Sequence, residues 1–379
     1  MLPKPIDVTQ VQARRFMLRL LGLERPFDGV ESALAHHGFV QLDPINVCGR
    51  MHDLILRNRV AGYQEGDLLR YLHGDDEQVP LRPEQRRGFE HYFGVLAALP
   101  VGAWPYLVGR MRARRSSTDG WAGKLSREEE RLARFVLAEI AARGPLTSDD
   151  IEHDARAVTA WNSGARQAKV VLEKLLLHGR VLITARRRFR RVYDLPERVL
   201  PAAVLSAPEP TRAETQRWSV LMKLRQLRLV RLSRADAKLV ADAIQAVRVG
   251  AEGAPVYCLR EDAQVFERID EVAAASTCAP GREGDVRLLA PLDPLVYDRE
   301  LARRIWDFDY TWEVYTPPAK RVRGYYALPV LAGTDIAGHV DPKAERESGR
   351  LRVVGRRVRR GVASAPAVRE LAAFLGLRV

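Results

Sequence analysis

Apolar positions near the start of the chain repeat at helical spacing. Ala13, Phe16, Leu20 and Leu21 form a stripe that runs to Gly22, and Thr9 with Gln12 three residues later has the form of a capping box. A second helix is predicted over Val30–His37, stopped by Gly38. The run FVQLDPI then reads as extended. Asn46 is placed to cap a third helix that buries Val47, Met51, Leu54 and Ile55 and turns Arg50, Asp53 and Arg57 to other faces.

The clearest module runs from about Ser126 to Pro201. Leu132, Val136 and Ile140 recur at helical spacing, and Gly144-Pro145 stops that helix. Thr147 and Asp150 predict a short second helix. A third begins near Ala165, buries Ala168, Val171, Leu172 and Leu175, and ends at Gly179. The β runs VLIT and VYDL then flank a basic tip carrying Arg186, Arg187, Arg188, Arg190 and Arg191. Three helices and a hairpin predict a winged helix-turn-helix whose third helix reads a groove and whose wing tip meets phosphates. A merely solvated hairpin is the alternative. The N-terminal segment repeats this layout less plainly. Between Pro208 and Pro280, a long helix (Thr211–Arg228), another around Ala235–Ala246 and a β segment at VYCLR suggest a third, degenerate unit.

From Asp285 onward apolar and polar residues alternate through VRLLAPLDPLVYD, YTWEVYTP, RGYYALPVLAG, DIAGHVD and GRLRVV, broken by Pro and Gly. This predicts a β-rich domain closed by a helix near Ala365–Leu377. The fold class expected is α+β: tandem winged helix-turn-helix units followed by a β-rich C-terminal domain. The segments are 1–115, 116–205, 206–280 and 281–379. Basic residues gather at Lys320, Arg321 and Arg323 in a loop and at Arg356, Arg357, Arg359 and Arg360 near a strand end. His339 and Lys343, with Asp341 and Arg346, fit either a hairpin approaching DNA or a solvated turn. Tyr325 and Tyr326 fit base stacking or core packing.

Composition narrows the class. With 46% hydrophobic residues in 379, disorder is excluded as the main state. No run approaches about 18 apolar residues, and the first thirty residues lack a signal-peptide pattern. Cys48, Cys258 and Cys278 stand apart with no CxxC pair. A soluble, cytoplasmic, nucleoid-associated protein is expected. The net charge of +13 comes from 61 Lys and Arg, of which eight are Lys and therefore 53 Arg. Arginine's planar fork suits phosphate, although a GC-rich codon bias gives the same excess. Neither GxxxxGK[ST] nor GxGxxG occurs, which leaves nucleotide-binding enzymes without support. His36, His37 and His52 form no metal-ligand set with Cys or carboxylates, so no metal and no cofactor are expected.

The segment with the best prospect of chemistry is Gln41-Leu42-Asp43. In a strand, residues i and i+2 share a face, so Gln41 and Asp43 point together while Val40 and Leu42 face the core. Pro44 ends the strand and leaves the carboxylate near a surface. The alternative is that Asp43 caps the next helix and Gln41 is an ordinary polar strand residue.

The run HGFVQLDPINVCGRMHDLILRNRV, together with LLAPLDPLVYDRELARRIWDFDYTWEVYTPPAKRVRGYYALPVL and the following GHVDPKAER, resembles the YcaQ-like crosslink-repair DNA glycosylases of the AlkZ/AlkX superfamily. That family carries a glutamine–aliphatic–aspartate or –glutamine motif, and Gln41-Leu42-Asp43 matches the aspartate version. The resemblance implies hydrolysis of the N-glycosidic bond of N7-alkylated purines and unhooking of interstrand crosslinks. Asp43 would then be general base and electrostatic stabiliser, with Gln41 orienting water and sugar. A base alkylated at N7 is already cationic, so one carboxylate suffices where ordinary glycosidases need two. No lysine adjoins the motif, so hydrolysis without a Schiff base is expected. The partner expected is double-stranded DNA with alkylated or crosslinked purines. A crosslinked base cannot swing freely out of the duplex, which favours an open basic channel over a tight pocket. Arg50, Arg57, the wing-tip arginines, Lys320, Arg321, Arg323, His339 and Lys343 are the expected DNA contacts. The competing readings are a non-catalytic winged-helix transcription regulator and a small-molecule nucleosidase. No membrane association is expected, and no coiled-coil repeat sets an oligomeric state.

Overall fold

The computed structural model describes residues 2–75, 79–151, 156–158, 164–187, 190–250, 253–275 and 286–379. The chain opens with β1 (Ile6–Val8), α1 (Gln10–Leu20), α2 (Val30–His37), β2 (Val40–Gln41), α3 (Met51–Leu56) and α4 (Asp67–His73). There follow β3 (Gly88–Phe93), β4 (Val95–Pro100), α5 (Trp104–Arg114), α6 (Arg127–Arg143), β5 (Arg156–Val158), β6 (Gly164–Arg166) and α7 (Gln167–Leu177). Next are β7 (Leu182–Arg187), β8 (Arg190–Asp194), α8 (Pro196–Val199), α9 (Ala202–Leu205), α10 (Arg212–Leu227), α11 (Arg234–Leu239), β9 (Ile244–Val249) and β10 (Val256–Leu259). The last elements are α12 (Gln264–Ala275), β11 (Val286–Leu288), α13 (Arg299–Trp306), β12 (Leu328–Ala332), β13 (Asp335–Glu345), β14 (Arg350–Val358) and α14 (Ala365–Phe374). The class is α+β. No helix among the described residues is long and apolar enough to cross a membrane.

The chain folds into two compact units, whose bounds differ from those of the four sequence segments. One comprises residues 1–38, 42–67 and 219–379. It holds the sheet β1–β9–β10, in which β1 runs parallel to β9, and the antiparallel sheet β11–β12–β13–β14. Thr9 caps α1 as its sequence predicts: Oγ1 accepts from the Gln12 N–H at 3.1 Å, and Gln12 Oε1 accepts from the Thr9 N–H at 2.7 Å. The helix buries Phe16, stacked on Phe266 at 4.2 Å, in a cluster with Leu21, Val247, Ile305 and Trp306. A second cluster packs Met51 and Leu54 of α3 against Tyr326, Val330, Val340 and Leu371. Arg59 donates to Asp293 at 2.7 Å with both side chains fully buried.

The other unit comprises residues 39–41 and 68–218. It holds the sheet β2–β4–β3 and the hairpins β5–β6 and β7–β8. The helix stopped at Gly144, the helix ending before Gly179 and the β7–β8 hairpin all stand where the apolar pattern puts them. The β7–β8 hairpin is tied down by an acid. Glu90 on β3, fully buried, accepts from Arg186 Nε at 2.7 Å and lies 2.7 Å from His73 Nε2. Burial alone would raise the Glu90 carboxyl, but Arg186 and His73 beside it hold it well below the usual range. The expected groove-reading helix is α7, yet it is buried on most faces; only Lys169 is exposed, with Val170 and Glu173 half-buried.

Several expectations fail for identifiable reasons. Asn46 caps no helix, because its Oδ1 accepts from the Gly49 N–H at 3.1 Å in a turn and α3 begins only at Met51. Asp53 does not face outward: it is fully buried and accepts from the Tyr63 hydroxyl at 2.7 Å and the Gly66 N–H at 3.0 Å. Thr147 and Asp150 form a local turn, with Asp150 Oδ2 accepting from the Thr147 N–H and hydroxyl at 2.8 Å each; residues 147–151 are not helical, and the continuation of the expected helix over 152–155 lies outside the described residues. The helix expected over Ala235–Ala246 stops at Leu239, and Ile244 already belongs to β9. YTWEVYTP is no strand. The preceding Arg299–Trp306 is a helix, capped by Asp298, whose carboxylate accepts from Glu300 and Leu301 N–H.

Removing the acid from a buried pair leaves an uncompensated cation and typically costs about 3–5 kcal/mol. Glu90→Gln is therefore expected to lower the thermal unfolding midpoint markedly. A group held low contributes its full stability above the ordinary value of 4.5 and loses it as pH falls through the folded value. The gap between wild type and variant should accordingly shrink below that pH; a gap independent of pH would show that Glu90 is not ionised in the fold.

Candidate active site

Gln41 closes β2, paired with Ala97 of β4, and Asp43 follows after one residue. Val40 and Leu42 are buried while Gln41 and Asp43 are half-buried, the alternation that an extended segment requires. Pairing stops at Gln41 and Pro44 brings no N–H, so the backbone turns. Asp43 Oδ1 accepts from the Ile45 N–H at 2.9 Å, closing a tight Asx turn well before α3. The carboxylate is thus not the cap of that helix. Among the described residues no donor reaches its second oxygen, Oδ2. Burial raises the Asp43 carboxyl above its ordinary value, and the Ile45 N–H offsets this only in part.

The residues after this turn are held by the distant C-terminal sheet. The Ala344 N–H donates to Val47 O at 3.0 Å, and Arg346 donates to Asn46 Oδ1 at 3.1 Å. Ile45 and Val47 pack against the cluster that buries Tyr326, Val340 and Cys48. The Cys48 thiol is pushed far up by burial and remains protonated.

The expected DNA contacts fall into two groups. Some are bound within the protein. The Arg57 side chain is 3% exposed, donates to Glu370 at 3.2 Å and lies 5.4 Å over the Phe374 ring. Arg50 is half-buried, 3.9 Å from Asp53 Oδ2. Arg186 is tied to Glu90, and Arg191 stands 3.4 Å from Glu173. Arg323 contacts Asp309 at 3.2 Å. His339, expected on an exposed hairpin, is buried, and burial lowers its basicity so that the ring is neutral at physiological pH. The others are more open. Arg190 is exposed although paired with Asp149, Arg187 is half-buried at the end of β7, and Lys320 and Lys343 are exposed. Arg321 lies 4.6 Å over the Tyr325 ring and donates to Thr316 O at 2.8 Å. Arg188 lies outside the described residues.

Two buried acids have a role that the sequence reading did not give them: Glu313 was not singled out, and Asp341, placed on a hairpin near DNA or in a solvated turn, is buried. Glu313 accepts from the N–H groups of Val322, Arg323 and Gly324, and Asp341 from those of Tyr325 and Tyr326. Gly324 was the one available signal: its φ of +126° is a glycine conformation, and a Cβ there would come within 2.1 Å of Asp341 Oδ2. The tyrosine pair divides between the two readings, Tyr326 fully buried and Tyr325 exposed. Among the described residues no group of three or more His, Cys, Asp or Glu is placed to hold a metal ion.

Comparison with known proteins gives this geometry its setting. The fold is similar to that of the Streptomyces sahachiroi DNA glycosylase AlkZ, at a TM-score of 0.61 and 16% identity over 99% of both chains. A family model described as DNA glycosylase AlkZ-like matches residues 34–376. Because that match runs through the Gln41–Asp43 segment and nearly the whole chain, the protein belongs to the AlkZ-like DNA glycosylases and is a DNA-repair enzyme acting on DNA.

Proposed function

We propose that this enzyme hydrolyses the N-glycosidic bond of N7-alkylated purines in duplex DNA, including those joined in interstrand crosslinks, with Asp43 as general base and Gln41 as the group that orients water and sugar. The observation that carries this reading is the state of the Asp43 carboxyl. One oxygen is fixed by the Ile45 N–H, and no donor among the described residues reaches the other. Partial desolvation makes it a stronger base than an ordinary aspartate.

The step balances simply. The C1′–N9 bond breaks with its electron pair passing to the cationic base, which leaves neutral. Water adds to C1′ as Asp43 takes its proton, and the products are the free purine and an abasic deoxyribose. In between, the carboxylate lies against a sugar of oxocarbenium character, which its negative charge stabilises. In this reading the Gln41 amide donates to the water and holds it.

The tandem winged-helix plan, in the segments 1–115, 116–205 and 206–280 before a β-rich segment 281–379, remains part of this proposal. In it, α6, α7 and the β7–β8 wing form the second unit. Since α7 is buried on most faces, the proposal gives DNA contact mainly to the wing, through Arg187 and Arg190, with Lys320, Arg321 and Lys343 contributing elsewhere.

Asp43→Asn is expected to slow release of 7-methylguanine from methylated duplex by roughly 10²–10⁴-fold, with duplex affinity kept or improved. A carboxyl raised in the folded state makes ionisation at neutral pH a cost to stability, so the same variant should melt no lower than wild type. Wild-type turnover in the variant removes Asp43 from the reaction. The base must be ionised to act, so kcat/KM should fall as pH drops through a value above the ordinary 3.8; an acid limb at or below 3.8 contradicts the desolvated base. Replacing Arg187 and Arg190 together by Ser should weaken binding to all sequences alike and reduce the slope of log K against log salt by about 2. An unchanged slope places the wing off the duplex.

A further inference from the structure

The loop between α13 and β12 combines features that neither packing nor the proposed catalytic step uses. Val322 is 73% exposed and Tyr325 39% exposed, and Lys320, Arg321 and Arg323 surround them. Single exposed apolar residues are ordinary. These two stand on a backbone fixed from behind. Five consecutive N–H groups, from Val322 to Tyr326, are taken up by Glu313 and Asp341, each 5% exposed. With its donors turned inward, the loop offers its surroundings side chains. Arg321 lies over the Tyr325 ring as a cation–aromatic pair, and Arg323 is braced by Asp309.

The loop is rooted beside the turn that carries Asp43. Tyr326, next to Tyr325, is fully buried in the cluster against which Ile45 packs, and the Ile45 N–H binds Asp43. A rigid, cationic, apolar-tipped loop next to a base-releasing carboxylate fits duplex DNA, where phosphates flank a stack of aromatic faces. Apolar side chains that enter base steps and aromatic side chains that stack on bases are the known ways proteins open such a stack.

We propose that residues 320–325 are a preformed wedge, with Val322 and Tyr325 entering the base stack beside the damaged nucleotide while Lys320 and Arg321 hold the flanking phosphates. The proposal rests on Asp43 being the reacting carboxylate, and it assigns the opening of the duplex to a separate set of residues. Stiffness is essential to it, because a wedge that bends would return the base to its stack.

The test uses the full-length enzyme and a duplex with one 7-methylguanine beside a 2-aminopurine, whose fluorescence rises on unstacking. Val322→Ala combined with Tyr325→Ala is expected to remove most of the fluorescence rise and to slow base release from duplex at least about tenfold. Release from a single strand with the same lesion should stay within about twofold, since there is no duplex to open. Tyr325→Phe, which keeps the aromatic face, should preserve both readouts. Equal slowing on single and double strands overturns the wedge. So does an unchanged fluorescence rise, which would leave the loop as a surface for a protein partner. The fluorescence readout does not depend on Asp43. Turnover surviving in Asp43→Asn therefore sinks the catalytic assignment alone, and the wedge is then decided by fluorescence.

Discussion

A carboxylate works as a base in this setting only if it is partly stripped of water and still leaves one oxygen open. Complete burial would bar the substrate, and full exposure would leave Asp43 as weak a base as any surface aspartate. The Asx turn to Ile45 holds one oxygen, and Pro44 turns the chain away before a second strand hydrogen bond can form. Everything behind the turn serves to keep it there. Val47 and Asn46 are held by Ala344 and Arg346, and Ile45 is seated on the core of the C-terminal sheet. The chemistry proposed for residue 43 thus depends on residues about three hundred positions later.

Charge follows a similar logic. A net excess of positive residues suggests a surface crowded with free arginines. Many of the arginines singled out from the sequence are instead structural, among them Arg57 with Glu370 and Arg186 with Glu90. Arginine can be buried in this way because its fork satisfies carboxylates and carbonyls at the same time. Arg86 does so with the carbonyls of Leu72 and Thr184, at 2.8 and 2.6 Å. The overall excess speaks for a polyanionic partner, whereas the identity of each contacting residue is decided by its neighbours.

Local signals were legible in the sequence. The Thr9–Gln12 capping box, the ends of α2 at Val30 and His37, the stop at Gly144 and the β7–β8 hairpin all arise from interactions spanning a few residues. So does the alternation from Val40 to Asp43, which by itself fits an ordinary strand end as well as a site; the resemblance of the flanking segments to the glycosylases is what singled out Gln41 and Asp43. What was missed depends on distant partners. Asp53 looked like a surface residue because the Tyr63 hydroxyl and the Gly66 N–H that satisfy it lie ten and thirteen positions away. Arg57 meets Glu370 across 313 positions. Glu313 and Asp341 bind main-chain groups, which leave no trace in the identity of the side chains they hold. Asn46 was misassigned for the opposite reason, since a turn and a helix start draw on the same side-chain chemistry.

The parallel pairing of β1 with β9 bears on how the chain comes to be folded. Lys4 O accepts from Gln245 across 241 positions, beside the register Ile6↔Val247. Bringing such remote ends together costs roughly 5 kcal/mol of loop entropy by the logarithmic law. The three-stranded sheet therefore cannot help to nucleate its own unit, and its first strand must wait for the ninth to leave the ribosome. Residues 68–218, joined in their unit only by the three-residue segment 39–41, carry no such delay. During synthesis the piece bearing the basic β7–β8 hairpin can take shape while the opening segment of the protein is still unpaired.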